Sequence, residues 1–178
     1  ELYERERATG VPFSLRRFLY RVFEQNPSLH RDIDVVYESI MSECGRLVNH
    51  ELALYVEQLG KESCYIVTNG DQDFQKDKIL RSGIDQLVTQ FVIVPGSKRE
   101  AIEAICKQFD AEQIVFVDDK SGFFVDLGDI PNLTTVEYQG DTALAQLQQK
   151  IAEVQMIESE ANKARTTDKY LGMTPKMF

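Results

Sequence analysis

The spacing of apolar residues changes once along the chain. From Val11 to about Gly60 it is helical: Leu15, Phe18, Leu19, Val22 and Phe23 recur at intervals of three and four, after Pro12 and Ser14, which suit a helix start. Pro27-Ser28 interrupts this run. A second amphipathic run carries Ile33, Val36, Tyr37, Ile40 and Met41 and stops near Gly45. A third carries Leu47, Leu52, Leu54, Tyr55, Val56 and Leu59 and ends at Gly60, a residue suited to closing a helix. No strand is expected in this first third.

From Ser63 to Tyr138 short apolar runs alternate with helical ones. Strands are expected at 64–68, 91–94, 113–118 and 133–138, with helices at about 71–82 and 98–109 between the first three. Strands alternating with helices of this length indicate βαβ units and a parallel sheet, hence an α/β fold. Residues 141–165 read as one long helix with Leu144, Leu147, Ile151, Val154 and Ile157 along a stripe, and 166–178 as an irregular tail. That helix either packs wholly on its own domain or docks by its first turns and projects, offering an oligomer contact.

Three polar stations follow the apolar strands: Thr68-Asn69-Gly70 after Tyr65-Ile66-Val67, Lys98 after Phe91-Val92-Ile93-Val94, and Asp118-Asp119 after Ile114-Val115-Phe116-Val117. In open α/β sheets ligands bind outside the carboxyl ends of the strands, so a hydroxyl, an ammonium and two carboxylates there suit a phosphate and a Mg²⁺ ion. Each station has a plainer reading. Asn69 or Asp71 can cap the next helix, Lys98 can be a solvated lysine, and one Asp of the pair can cap a turn while the other faces water. The acidic pair is the sharper signal, because adjacent carboxylates at the end of an apolar strand repel and call for a cation.

Composition narrows the ligands. Lys and Arg number 20 against 29 Asp and Glu, a net charge of −9, which argues against general affinity for nucleic acid or anionic membranes and requires any anion to be caught locally. Cys44, Cys64 and Cys106 are widely spaced, with only His30 and His50 to assist in zinc binding, as expected of a reduced cytoplasmic protein. No apolar run approaches the ~20 residues that cross a bilayer.

In order, spacing and strand context the stations resemble the haloacid dehalogenase-like hydrolases, over about residues 47–138. Tyr65-Ile66-Val67-Thr68-Asn69-Gly70 and Val115-Phe116-Val117-Asp118-Asp119 are similar to phrases of the phosphatase branch. The resemblance implies a three-layer α/β/α Rossmann-like fold, with residues 1–46 as a small helical cap, 47–140 as the core, then the 141–165 helix and the tail. It implies that Thr68 and Lys98 act in catalysis, that Thr68, Asn69, Gly70 and Lys98 bind the phosphate of a small phosphorylated substrate, and that Asp118 and Asp119 hold Mg²⁺.

One part of the family pattern has no counterpart. A strand ending in Asp-x-Asp should precede the cap and supply the nucleophile, but Glu1-Leu2-Tyr3-Glu4-Arg5-Glu6-Arg7 contains neither. Asp32 and Asp34 form an Asp-x-Asp inside the helical run, with no strand before them. The family's missing strand lies between those ending at Thr68 and Asp118, and its loss would open a gap of about 10 Å, two inter-strand spacings. The expectation is therefore that a strand and an Asp-x-Asp lie upstream of Glu1, and that residues 1–178 alone turn over little substrate. The alternatives are direct pairing in a rebuilt sheet, or a strand donated by another molecule. A receiver domain would carry its acids first and its Lys last, and a dinucleotide-binding domain would need a Gly-rich turn absent here. The rival function is a non-catalytic binding module on the same fold.

Arg16, Arg17 and Arg21 in the first helical run either meet an anionic part of the substrate or form a solvated face. Phe123-Phe124 either line the mouth of the site or pack under the loop.

Overall fold

The computed structural model describes residues 2–8, 10–29, 32–110 and 112–171. Two compact units divide at residues 101 and 102.

The first unit begins with four helices, α1 (Leu2–Ala8), α2 (Leu15–Gln25), α3 (Ile33–Met41) and α4 (His50–Leu59). Asp32 caps α3 by accepting from Asp34 N, and Asn49 caps α4 by accepting from Leu52 N. The apolar stripes meet as the periodicity requires: Leu15 and Leu19 of α2 are buried against Tyr37 and Met41 of α3. Fully burying a side chain of this kind stabilises by about 1.5–3 kcal/mol. Phe13, Phe18, Ile33, Val36 and Cys44 surround this cluster, and Phe74 from beyond the first strand joins it. Phe13 stands edge-on to both Tyr3 and Phe74, with ring centroids 5.4 Å and 5.6 Å apart.

Strand β1 (Tyr65–Asn69), helix α5 (Gln72–Ser82) and strand β2 (Gln90–Val94) complete this unit up to the start of α6 (Arg99–Gln108). The strands are parallel, in register from Tyr65 opposite Gln90 to Asn69 opposite Val94. Asp71 caps α5 by accepting from Phe74 N, and Gly83 closes it in the left-handed conformation at φ +76°.

The second unit holds strands β3 (Ile114–Asp118) and β4 (Leu133–Glu137), parallel from Ile114 opposite Leu133 to Asp118 opposite Glu137, and helix α7 (Ala143–Leu171). Its buried apolar residues include Ile102, Cys106, Leu127, Ile130, Ala143, Leu147 and Val154. The Asn132 amide donates to the carbonyls of Cys106, Phe109 and Glu112 at 3.0–3.1 Å, sharing its two protons among three acceptors and fixing the entry to β4.

The α/β pattern, the four strands and their parallel pairing agree with the sequence reading. Among the described residues β1 pairs only with β2, and β3 only with β4. Every residue of β1 and β3 is half-buried, whereas strands of parallel sheets are usually covered on both faces. One boundary differs: α7 continues past residue 165 to Leu171, into the expected irregular tail. No Gly or Pro occurs between Thr142 and Leu171, so nothing in that stretch breaks the helix. Residues 172–178 of that tail lie outside the described residues. No helix among the described residues is long and apolar enough to cross a membrane.

Candidate functional site

In the first unit, Thr68-Asn69-Gly70 ends β1 and the turn carrying Lys98 follows β2, so parallel pairing sets both at the same end of the sheet. Direct bonds join them. Gly70 N donates to Val94 O at 2.9 Å, and Asn69 Nδ2 donates to Gly96 O. Ser97 Oγ accepts from Arg99 N at 3.1 Å, opening α6 one residue beyond Lys98.

Lys98 is the one buried charged residue among those described, 8% exposed, unlike the solvated lysine that the sequence allowed. Lysine is rarely this buried unless its ammonium has polar or anionic company. Gly70 adopts φ +152°, a conformation side chains rarely take, and a Cβ there would lie 2.4 Å from Gln75 Nε2. Its N–H is engaged by Val94, so Gly70 serves the turn by conformation and close approach rather than as a free donor. Capping of α5 falls to Asp71, not Asn69, whose side chain crosses to the β2 turn instead.

Sequence reasoning missed Gln75. One turn into α5, its Nε2 donates to Asn69 O at 3.2 Å, and its Oε1 lies 3.5 Å from Thr68 Oγ1 and 3.2 Å from Lys78 Nζ. A glutamine on a polar helix face carries no signal of this in sequence.

In the second unit, Asp118 and Asp119 end β3 as expected, Asp118 half-buried and Asp119 exposed. Asp118 Oδ1 accepts from Lys120 N at 2.9 Å, and Asp118 O accepts from Tyr138 N at 2.8 Å. Two carboxylates of this kind are hard oxygen donors of the type that Mg²⁺ would take, together with water. Among the described residues no three His, Cys, Asp or Glu side chains cluster as a metal site. Phe124 packs edge-on against Phe116 of β3 at 5.8 Å, the packing role of the two offered by the sequence.

Asp32 and Asp34 have helical duties: Asp32 caps α3 and Asp34 pairs with Arg16. The Arg16 guanidinium also lies 3.9 Å from the centre of the Tyr37 ring, while Arg17 donates to Pro12 O. A cavity of about 330 Å³ in the first unit lies at the other end of its strands, lined by Lys61, Asp85, Gln86, Val88, Thr89, Gln90 and Phe91. It includes none of the station residues. Burial raises the thiol pKa values of Cys64 and Cys106, the latter with help from Glu103, which keeps both protonated and unreactive at neutral pH.

The chain is similar in structure to a crystal structure from Burkholderia xenovorans LB400 whose protein carries the provisional name haloacid dehalogenase-like hydrolase. The two share 24% sequence identity over 80% of this chain and 68% of the other, with a TM-score of 0.57. The fold is haloacid dehalogenase-like. No family model matches the sequence, and no curated protein matches it.

Proposed function

We propose that the chain is the phosphate- and metal-binding part of a haloacid dehalogenase-like phosphohydrolase acting on a small phosphate ester. The observation that carries this reading is the stitched pair of turns after β1 and β2, which keeps Thr68 and the turn carrying the buried Lys98 at the same carboxyl end of a parallel sheet, the end where ligands of such sheets bind. The strand order of the stations and the fold likeness support it.

Thr68 donates its hydroxyl proton to a phosphoryl oxygen, and Lys98 offsets the charge that a phosphoryl group and a carboxylate nucleophile bring together. Both roles are electrostatic positioning, which is most of what phosphoryl transfer asks of a protein. In the second unit Asp118 and Asp119 would hold Mg²⁺, which would supply positive charge to offset that of a phosphoryl group. The nucleophile is a carboxylate that neither Asp32 nor Asp34 supplies, since both have helical duties. Its oxygen attacks phosphorus, the P–O bond to the alcohol breaks, and the alcohol leaves with a proton from a neighbouring acid. Water then cleaves the acyl phosphate, releasing inorganic phosphate and restoring the carboxylate.

The test is turnover of a chromogenic phosphate ester by the protein read from its natural start, with Mg²⁺ and with a chelator. Mg²⁺-dependent release, reduced at least a hundredfold by Asp118→Ala and by Thr68→Val, is the expected result, since single electrostatic contacts at such sites contribute about 10²–10³. A natural start at residue 1 with no turnover would leave a binding module on the same scaffold.

A further inference from the structure

Gln75 places a carbonyl oxygen beside a hydroxyl and an ammonium. Thr68 Oγ1 is 3.5 Å from Gln75 Oε1 and Lys78 Nζ is 3.2 Å from it. A phosphate oxygen at Thr68 takes the same kind of donor. The other end of the amide is anchored, since Nε2 donates to Asn69 O at 3.2 Å. The side chain lies flat on Gly70, where a Cβ would come 2.8 Å from its Cγ and 3.0 Å from its Cδ.

We propose that Gln75 is an internal placeholder for the anion: its amide oxygen holds the Thr68 hydroxyl and the Lys78 ammonium until a phosphoryl oxygen displaces it. The proposal rests on the phosphate reading of Thr68 and adds Gln75 and Lys78 to it, as a residue that competes with the ligand and a second ammonium that the ligand gains. The Thr68–Gln75 contact is long for a hydroxyl bond, and hence weak and readily exchanged. Lys78 is exposed, with Nζ 5.3 Å from the centre of the Phe74 ring, so it can turn from the amide to an anion without being desolvated.

A residue that merely braces the turn and one that competes with the ligand respond oppositely to truncation. Losing a brace loosens the turn and weakens phosphate binding, whereas losing a competitor strengthens it. The experiment measures inorganic phosphate binding to the 178-residue chain by calorimetry, for the unaltered protein and for Gln75→Ala, Gln75→Asn, Lys78→Met and Thr68→Val. Gln75→Ala and Gln75→Asn are expected to tighten binding about three- to tenfold, the range of one net hydrogen bond, while Lys78→Met and Thr68→Val weaken it. Gln75→Asn keeps an amide too short to reach, which guards against a fault peculiar to alanine. Phosphate binding that is weakened or unchanged in both Gln75 variants would overturn the placeholder and leave the phosphate site standing. No phosphate binding by any form, the unaltered chain included, would overturn the phosphate reading itself, and the placeholder with it.

Discussion

At the scale of single residues, Gly70 shows most clearly what the site demands. Its φ of +152° and the Gln75 side chain 2.4 Å from a would-be Cβ are separate obstacles to any other residue. Gly70→Ala should destabilise the protein by about 1–3 kcal/mol in chemical denaturation. Adding Gln75→Ala should return part of that loss, because the steric term goes while the backbone term stays. Equal and additive losses in the two backgrounds would show that the side chain yields freely. The strand-end position of Thr68, Asn69, Gly70, Asp118 and Asp119 could be read from the sequence, because a run of three or four apolar residues with a polar end announces itself. The burial of Lys98 and the reach of Gln75 could not, since both depend on contacts between segments far apart in sequence or on side-chain direction.

At the scale of elements, α3 is bound to α5 by a polar network beside the aromatic core. Tyr37 donates to Asp77 Oδ2 at 2.7 Å, Arg81 donates to Asp77 Oδ1 at 2.7 Å, and Arg81 also grips both oxygens of Glu38 at 2.8 and 2.9 Å. Tyr37→Phe keeps the packing and removes the bond to a carboxylate, and should cost about 1.5–3 kcal/mol in denaturation. The network should also be sensitive to pH at both extremes. Burial first, then the bond to Asp77, pushes the Tyr37 hydroxyl up from 10.0 to about 12. Its contribution is therefore complete below pH 10 and is lost as pH rises through about 12, an alkaline loss that Tyr37→Phe should diminish. Burial pushes the Asp77 carboxyl upward, but bonds from Arg81 and Tyr37 outweigh it and bring it below its ordinary 3.8. Its contribution is present above that value and lost as pH falls through the lowered one, which a urea series at acid pH would detect as a loss smaller in Asp77→Asn. Periodicity predicted α3 and α5 individually. It could not predict the network, because i to i+4 spacing says which residues share a face but not which helix that face meets. The same limit explains α7, where the stripe marks Leu147 and Val154 as buried, yet Ile157 at the same spacing is 60% exposed.

For the whole molecule, the half-buried strands β1 and β3 matter most. Each pairs on one edge among the described residues, and apolar strands so placed gain stability from a further strand. The order of the polar stations was the legible part of the account, because chain order survives any rearrangement in space. Capture of phosphate by the first unit's stations and of Mg²⁺ by the second unit's is the central claim, and it is tested most directly by amide NMR spectra of the labelled chain during titration with Mg²⁺ and inorganic phosphate. The account predicts phosphate-induced shifts at Thr68, Asn69, Gly70 and the Lys98 turn, and Mg²⁺-induced shifts at Asp118, Asp119 and Lys120. Silence at these residues, or shifts centred on Lys61, Gln86 and Thr89 at the opposite end of the first unit's strands, would contradict it.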